Sequence, residues 1–308
     1  MARYTLQRLI TMVVVLWVVI TLTFFMMRAL PGGPFASEKK LPEAILKNIE
    51  RKYHLDKPLM AQYWDYLKDV ARGDLGPSFR TQGVTVNQII AKGFPISATV
   101  GGLSILVALF VGVPLGIASA MRHNGLLDRT VSGLAILTAA APSFVIAALL
   151  QYYLAYKLRA FPPAMWGQPK HMVLPVLALC SFSLAWTIKI TRSSMLEVIN
   201  QDYIRTARAK GIPIGAVIYR HMLKNSLIPV IASLAPLTAG VLTGSFIVEQ
   251  IFAIPGIGRE FVTSITNRDY TVTLGMTVFF GLLLCSFTLI GDIATALIDP
   301  RVRLDKEA

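Results

Sequence analysis

Six long stretches of the chain lack Asp, Glu, Lys and Arg, and they dominate its pattern of hydrophobic and polar positions. These stretches are Leu9–Met27, Gly93–Met121, Thr130–Tyr156, His171–Ile188, Asn225–Val248 and Thr271–Gly291. A bilayer core about 30 Å thick requires roughly 20 helical residues, and all six stretches are close to or above that length. Barrel strands would need only about 10 residues, so helices suit them better. The pattern predicts an all-α integral membrane protein with six transmembrane helices.

The polar connections divide the 308-residue chain into four parts. Residues 1–28 are predicted to form an uncleaved N-terminal anchor helix, residues 29–92 an external segment, residues 93–298 a five-helix core and residues 299–308 a cytoplasmic tail. In the external segment, Glu43–Tyr53 and Leu59–Val70 have helical spacing of apolar residues between Pro and Gly breaks. Because apolar residues recur throughout, we expect an ordered helical cap rather than a linker.

The distribution of Lys and Arg gives an orientation for the net charge of +13. Basic residues precede the first apolar stretch, flank the second connection, are abundant in the fourth connection and follow the last stretch. The positive-inside rule therefore predicts that both termini are cytoplasmic. The outward connection with Lys157, Arg159 and Lys170 disagrees, but four consistent segments outweigh it. Because span ends and anionic lipid account for the basic residues, no nucleic-acid partner is expected.

The segment Asp202–Pro229, called the basic segment below, is the most distinctive polar feature. Arg205 and Arg208 form a cationic face, Gly211 suits a helix C-terminal cap, and Pro213 suits the first turn of a following helix. That second helix is predicted to be amphipathic from the spacing of Ile214, Val217, Ile218, His221 and Met222. Two short helices with a rigid corner could transmit force as a lever, or they could lie on anionic lipid. The residues alone leave both interpretations open.

Prolines and small residues inside the apolar stretches suggest bends and close helix contacts. Prolines occur at positions 114, 142, 175, 229 and 236, where each frees a backbone carbonyl that neighbouring groups must satisfy. Gly112-x-x-x-Gly116 and Gly240-x-x-x-Gly244 allow helices to approach closely. These positions could serve packing alone, or they could let helices rock between two states.

Motifs of enzymes are missing from the sequence. It contains no G-x-x-x-x-G-K-[ST] loop for ATP, no H-E-x-x-H and no G-x-S-x-G. The four histidines lie too far apart for metal spacing, and Cys180 and Cys285 are expected to be packing residues. We therefore expect no enzymatic activity and no cofactor or metal in this chain. A secondary transporter or channel would need ion-coupling residues at mid-membrane, of which there are almost none, and a membrane-anchored scaffold or enzyme is also disfavoured.

Several motifs together resemble one family. The sequence YIRTARAKG at 203–211 is similar to the cytoplasmic "EAA" loop of the permease subunits of binding-protein-dependent ABC importers. Gly211 and Ala207 match the family Gly and second Ala, whereas Arg205 and Thr206 replace the Glu and first Ala, and His221 and Lys224 replace a later Ile and Pro. These departures resemble the peptide-transporter branch. Further matches are MMRALPGGPF at 26–35, GDLGPSF at 73–79, TRSSMLEV at 191–198, FAIPGIGREF at 252–261, NRDY at 267–270 and IDPRVR at 298–303. The chain resembles a B-type oligopeptide permease over essentially its whole length.

This resemblance implies a type I ABC importer permease fold in a bacterial inner (plasma) membrane. It implies a heterodimer with a second homologous permease, two cytoplasmic ATPase subunits that bind ATP and Mg, and an external peptide-binding protein. The cytoplasmic loop 192–225 would couple to the ATPase, and the residues implied in that contact are Tyr203, Arg205, Thr206, Ala207, Arg208, Gly211, Pro213 and His221.

The remaining expectations concern the outer side and the transport path. Residues 30–92 and Phe252–Tyr270 are candidates to receive the binding protein, although a purely structural role is equally open. Glu249 and Asp292 interrupt or end apolar stretches and are candidates to contact substrate, because ionisable groups at membrane depth usually face a cavity or a partner. For Asp292 a salt bridge at a helix end is the stronger alternative. The short connection Lys157–His171 resembles oligopeptide rather than dipeptide permeases.

Overall fold

The structure is a computed structural model that describes residues 2–31, 33, 51, 55–242 and 246–298. Within these residues the chain is helical and contains no strand beyond an isolated antiparallel bridge between Pro77 and Thr85. The chain divides into two compact units, which are described separately. The first unit comprises Met1–Ile96 and Pro255–Cys285, and the second comprises Ser97–Ile254 and Ser286–Ala308.

The first unit contains the anchor helix and the described part of the predicted external segment. Helix α1 spans Ala2–Ala29, α2 spans Leu59–Ala71, and the unit also includes the start of α3, Val86–Met121. The later elements are α12, Ile257–Thr266, and the start of α13, Tyr270–Ile298, numbered in chain order. The helix predicted at 59–70 is confirmed, whereas most of the one predicted at 43–53 lies outside the described residues.

Two apolar clusters hold this first unit together. One joins Phe24 of α1 to Tyr63 of α2 and Leu274 of α13. The other joins Val86 and Ile90 at the start of α3 to residues of α12 and α13, with Ile257, Val272 and Met276 at its centre. Burial of these side chains, rather than helix propensity alone, stabilises the short helices α2 and α12.

The second unit contains most of α3 and the elements between α3 and α12. These elements are α4, Leu126–Ala140; α5, Ser143–Leu150, continued by a π-helical turn Gln151–Lys157; α6, Pro169–Ile199; α7, Asp202–Ala209; α8, Ile214–Val217, continued by a π-helical turn Ile218–Met222; α9, Leu223–Ser226; α10, Ile228–Leu242; and α11, Phe246–Ile251. The long helices α3 and α6 form its frame.

The third apolar stretch departs from the expectation of one straight span. Helix α4 ends at Ala140, and the pair Leu126–Ala140 and Ser143–Lys157 is bent by 105°. Ala141 is extended, with φ −80° and ψ 128°, because the ring of Pro142 disfavours helical backbone in the residue before it. In the described residues, five helices are long and apolar enough to cross a membrane, and the number is six if the bent pair is one span.

Glycines bring α3 and α6 into close contact, as the first small-residue pair predicts. A Cβ added to Gly116 would lie 2.6 Å from Cβ of Thr191, and one added to Gly112 would lie 3.0 Å from Cβ of Thr187. The first distance is too short for a real Cβ, and the second would require Thr187 to shift by a few tenths of an ångström. Gly240 has no atom within 4 Å of such a Cβ, and Gly244 lies outside the described residues.

Candidate functional site

The basic segment forms two helical pieces joined by a tight corner. Helix α7 ends at Ala209, Gly211 has φ +73°, and its amide donates to the carbonyl of Arg208 at 2.9 Å. A left-handed backbone at this position suits Gly, so its predicted role as a C-terminal cap is confirmed. Pro213 differs slightly from the prediction. Its extended ψ of 140° makes it the N-cap that precedes Ile214 rather than a residue of the first turn.

One face of the basic segment is buried against the ends of the long helices α3 and α6. Ile204, Val217 and Met222 have no exposed surface and pack with Ala120 of α3 and with α6. The residues of α6 in this cluster are Met195 and Val198. The segment is therefore attached to both long helices through an apolar contact.

The opposite face of α7 carries the exposed polar residues. Arg205, Thr206 and Arg208 are exposed, and Tyr203 is 42% exposed, with its hydroxyl accepting a hydrogen bond from Asn225 Nδ2 at 2.8 Å. The guanidinium of Arg205 lies 3.8 Å from Asp202, and both side chains are largely exposed. Such a pair is worth less than about 1 kcal/mol, so Arg205 can exchange this contact for another anionic partner.

Two of the predicted coupling residues do not share this exposed face. Ala207 is only 5% exposed and belongs to the apolar cluster, because it follows Ile204 by three residues on the same side of α7. His221 is half-buried in the π-helical turn Ile218–Met222. Ala207 is therefore a packing residue of this cluster, and its part in coupling to an ATPase stays a prediction.

A buried ion pair next to this cluster was missed by the sequence reasoning. Asp128 of α4 is 3% exposed, and Arg192 of α6 donates from Nε to its Oδ1 at 2.6 Å and from Nη2 to its Oδ2 at 2.8 Å. The same carboxylate accepts hydrogen bonds from the Ser119 hydroxyl at the end of α3 and from the amide of Asn124. His123 Nδ1 lies 3.4 Å from Oδ2. The bidentate contact joins α4 to α6, and the hydrogen bond from Ser119, next to Ala120 of the apolar cluster, adds α3.

The two acidic candidates for the transport path occupy different surroundings. Glu249 of α11 is 3% exposed, and its Oε1 accepts a hydrogen bond from the Ser97 hydroxyl at 2.7 Å. Asp292 is half-buried within α13, and its role in substrate contact or in a salt bridge near the helix end stays a prediction. No group of three or more potential metal-ligating side chains occurs among the described residues.

The loop before α13 is organised by a second buried carboxylate, that of Asp269. Its oxygens accept hydrogen bonds from the Ser78 hydroxyl and from the amide of Phe79, at 3.1 Å for the amide. These contacts join the GDLGPSF and NRDY motifs, which lie far apart in the sequence. They define a structural role for the two motifs, while reception of an external protein by this region stays a prediction.

The fold and these contacts define a multi-pass helical membrane protein with a basic, two-helix segment packed on two of its long helices. A permease chain of the MetNI methionine ABC transporter, solved in an inward-facing conformation, has the same fold at a TM-score of 0.59. The match covers 68% of this chain and 96% of that chain at 15% identity. This likeness confirms the predicted fold class of ABC importer permeases.

The chain belongs to the family described as "binding-protein-dependent transport system inner membrane component", whose model matches residues 112–304, and the N-terminal model of that system matches residues 1–101. It is 46% identical to the dipeptide transport system permease protein DppB of Bacillus subtilis over 100% of both chains. It is 44% identical to the oligopeptide transport system permease protein OppB of Salmonella typhimurium, over 98% of this chain and 100% of the relative. The resemblance inferred from the motifs is confirmed, and the protein is a multi-pass component of the inner membrane.

Proposed function

We propose that this chain is the permease subunit of an ATP-driven peptide importer and that the basic segment couples it to a separate ATPase. Family membership and the full-length similarity to dipeptide and oligopeptide permeases support the peptide substrate. The observation that carries the coupling role is the two-sided basic segment. Its apolar face packs on the ends of α3 and α6, and its cationic face is exposed.

The coupling mechanism follows from this attachment. A partner that binds Arg205 and Arg208 and then moves displaces α7, and the shared apolar cluster transmits that displacement to α3 and α6. Each conformation of the helices must be favoured by contacts that the other lacks. To change the populations from 1:99 to 99:1, the partner must supply about 5.5 kcal/mol, which ATP binding and hydrolysis can provide.

The proposed assembly contains four further proteins. A second permease of the same family completes the translocation pathway, two cytoplasmic ATPase subunits hold ATP and Mg, and an external binding protein delivers peptide. Both termini and the basic segment lie in the cytoplasm. Tyr203, Thr206 and Pro213 take part in the contact with the ATPase, while Ala207 and Gly211 support its shape.

Oligopeptides are the proposed substrate class, on the basis of the short connection Lys157–His171. The identities of 46% and 44% to a dipeptide and an oligopeptide permease are too similar to separate the two substrates. Of the two path candidates, Glu249 is the better one, because a buried carboxylate near a predicted span is costly unless it serves a cavity or a partner.

The experiment that tests this function is reversal of the two exposed cations. The complex is purified from membranes through a tag on this chain, and the co-purifying ATPase is quantified. The double variant Arg205→Glu and Arg208→Glu is expected to lose most of the ATPase, because like charges replace attraction at the contact. The matched control is Arg122→Glu with Arg129→Glu, which reverses two exposed cations in another predicted cytoplasmic connection.

The two double variants separate the alternatives. Loss of the ATPase only in the variant at positions 205 and 208 supports docking through the basic segment. Equal retention of the ATPase in both variants contradicts it and favours the alternative in which this segment lies on anionic lipid. Recovery of the unmodified chain without any ATPase contradicts the importer assignment itself.

A further inference from the structure

The connection that leads into α6, residues 158–168, departs from the charge pattern of the rest of the chain. Helix α6 has 31 residues, about 46 Å at 1.5 Å per residue, so this connection and the basic segment lie at its opposite ends. Lys157, Arg159 and Lys170, called the outer patch below, belong to the end far from the basic segment. Because Lys and Arg in short connections normally stay on the cytoplasmic side, their presence here requires a reason.

The cations of the outer patch have no acidic partner in the described part of the chain. The sequence contains no Asp or Glu between Asp128 and Glu197. All three side chains are exposed, and the ammonium of Lys157 lies 5.8 Å from the centre of the Tyr153 ring. Lys170 lies in the first turn of α6, where the helix dipole disfavours a positive charge. An anion from outside the chain would offset these unfavourable charges.

Hydrogen bonds within the second unit hold this connection in place. Gln151 Nε2 donates to the carbonyl of Pro163 at 2.6 Å and to the carbonyl of Ile251 at 3.3 Å. The amide of Met165 donates to the carbonyl of Phe252 at 2.9 Å. The outer patch is therefore carried by a connection fastened to the end of α11, so its position is defined before any ligand binds.

The carboxylate of Glu249, two residues before Ile251 in the sequence, does not compete with an anion at this surface. Glu249 is only 3% exposed, and its Oε1 accepts a hydrogen bond from the Ser97 hydroxyl at 2.7 Å. Its charge lies inside the protein, whereas the side chains of the outer patch are exposed. An anion at the surface thus meets three cations.

Exposed aromatic and apolar side chains beside the cations indicate which anion fits. The Tyr152 ring stacks on Tyr156 at 5.9 Å between centres and meets the Tyr153 ring edge-on at 5.1 Å, and all three are at least half exposed. Tyr is enriched where acyl chains meet headgroups, because its ring is apolar and its hydroxyl is polar. Leu158 and Met165 are each 67% exposed. Cations combined with exposed apolar side chains favour a lipid over a soluble acidic protein.

We propose that the outer patch binds the headgroup of an anionic phospholipid. The three cations contact the phosphate oxygens, and the tyrosine rings lie against the glycerol and the upper acyl chains. The bound lipid offsets the charges that the positive-inside rule disfavours and keeps this connection at headgroup level. Its location in the outer leaflet rests on the orientation in the proposed function, whereas the binding itself requires neither transport nor an ATPase.

The test follows the fluorescence of Trp166, which lies within the connection. Trp17, Trp64 and Trp186 are exposed and are replaced by Phe, so that Trp166 alone reports. The purified full chain in maltoside micelles is titrated with phosphatidylglycerol or with zwitterionic phosphatidylcholine, each brominated in the upper part of one acyl chain to quench a nearby Trp. We expect half-maximal quenching at about tenfold lower concentration of phosphatidylglycerol, because each cation near an anionic headgroup adds to the affinity.

A triple variant tests whether the outer patch causes this preference. It combines Lys157→Gln, Arg159→Gln and Lys170→Gln, and we expect it to respond equally to the two lipids. Added salt should weaken the preference of the unmodified chain, because exposed charges are screened.

The matched control removes three exposed cations from the other predicted side of the membrane and should keep the preference. It combines Arg122→Gln, Arg129→Gln and Lys210→Gln.

The outcomes decide between a lipid and a protein partner. Equal quenching of the unmodified chain by the two lipids, or a preference that survives the triple variant, overturns the proposal. Equal quenching together with weaker binding of the external binding protein to the triple variant would assign the cations to a protein contact instead. If the triple variant fails to fold, the salt titration of the unmodified chain still decides, since a preference unaffected by salt contradicts binding through exposed cations. Failure here leaves the proposed function intact, because the co-purification of an ATPase tests that separately.

Discussion

Two buried aspartates organise the two units of this protein, and they are stabilised by different means. Asp128 in the second unit and Asp269 in the first both lie at the start of a helix, where a negative charge is favoured. Asp128 is neutralised by the bidentate guanidinium of Arg192, whereas the described bonds of Asp269 come from Ser78, Val272 and the amides of Phe79 and Arg80. The comparison indicates that an ion pair holds the helix ends beside the basic segment, while uncharged donors hold the loop before α13.

The largest loss of stability is expected from Arg192→Gln, which breaks the ion pair and leaves the Asp128 carboxylate buried without its cation. Removal of one partner from a buried pair costs about 3 kcal/mol or more of the free energy of unfolding, because the remaining charge is poorly solvated. The measurement is unfolding of the purified chain in detergent. Lys189→Gln is the matched control, since Lys189 is an exposed cation of the same helix.

A double variant makes this first prediction sharper. Asp128→Asn combined with Arg192→Gln removes both charges, and we expect it to be more stable than Arg192→Gln alone. If Arg192→Gln lowers the free energy of unfolding as little as Lys189→Gln does, the ion pair does not stabilise this region. The two aspartates would then not differ in the way proposed.

A smaller loss of stability is expected from Asp269→Asn. The amide keeps one oxygen to accept from the amide of Phe79, but its NH₂ group cannot accept from Arg80 or Ser78, whose hydroxyl already accepts from two backbone amides. We expect a loss of about 1–2 kcal/mol in the free energy of unfolding. Asp56→Asn serves as a control, because Asp56 is exposed. A loss as large as that of Arg192→Gln would show that the charge of Asp269 matters as much as that of Asp128.

The ion pair is a contact that local sequence patterns do not predict. The apolar stretches predicted the long helices because their length follows directly from bilayer thickness. Asp128 and Arg192 are 64 residues apart, and nothing in their local patterns indicates that they meet. Their one signal is that each lies a few residues outside an apolar stretch, where a charge close to the membrane requires a partner.

The prolines show a similar limit in the prediction of helix shape. Pro175 lies within the continuous helix α6, whereas Pro142 follows the extended Ala141 and separates two helices bent by 105°. Both prolines occur in apolar stretches, so local composition does not distinguish them. The outcome depends on whether packing compensates for the lost hydrogen bond and the steric conflict.

For the basic segment, the sequence predicted the corner and the exposed cations but not the inward position of Ala207. The family motif alone does not distinguish the exposed residues of the segment from the buried ones. Helical spacing contained the missing information, because Ala207 follows the apolar Ile204 by three residues and therefore shares its face. Motif similarity identified the segment, and periodicity separates its exposed residues from its packing residues.

The last change, Gly211→Leu, is expected to cost no more stability than Asp269→Asn but to have a large effect on transport, because Gly211 forms the corner between α7 and α8. A Cβ at Gly211 would meet no atom within 4 Å, so Gly211→Leu is disfavoured by its φ of +73° rather than by a clash. The cost is about 1–2 kcal/mol, and relief of this strain would change the corner between α7 and α8. We expect ATP-driven peptide uptake in reconstituted vesicles to fall strongly while the chain still inserts into the membrane.

Two further variants serve as controls. Gly211→Asn should retain much of the uptake, because Asn tolerates this backbone, and Gly215→Leu adds the same side chain at an open helical position. Normal uptake with Gly211→Leu would contradict the coupling role, whereas a matching loss with Gly215→Leu would attribute the effect to side-chain bulk.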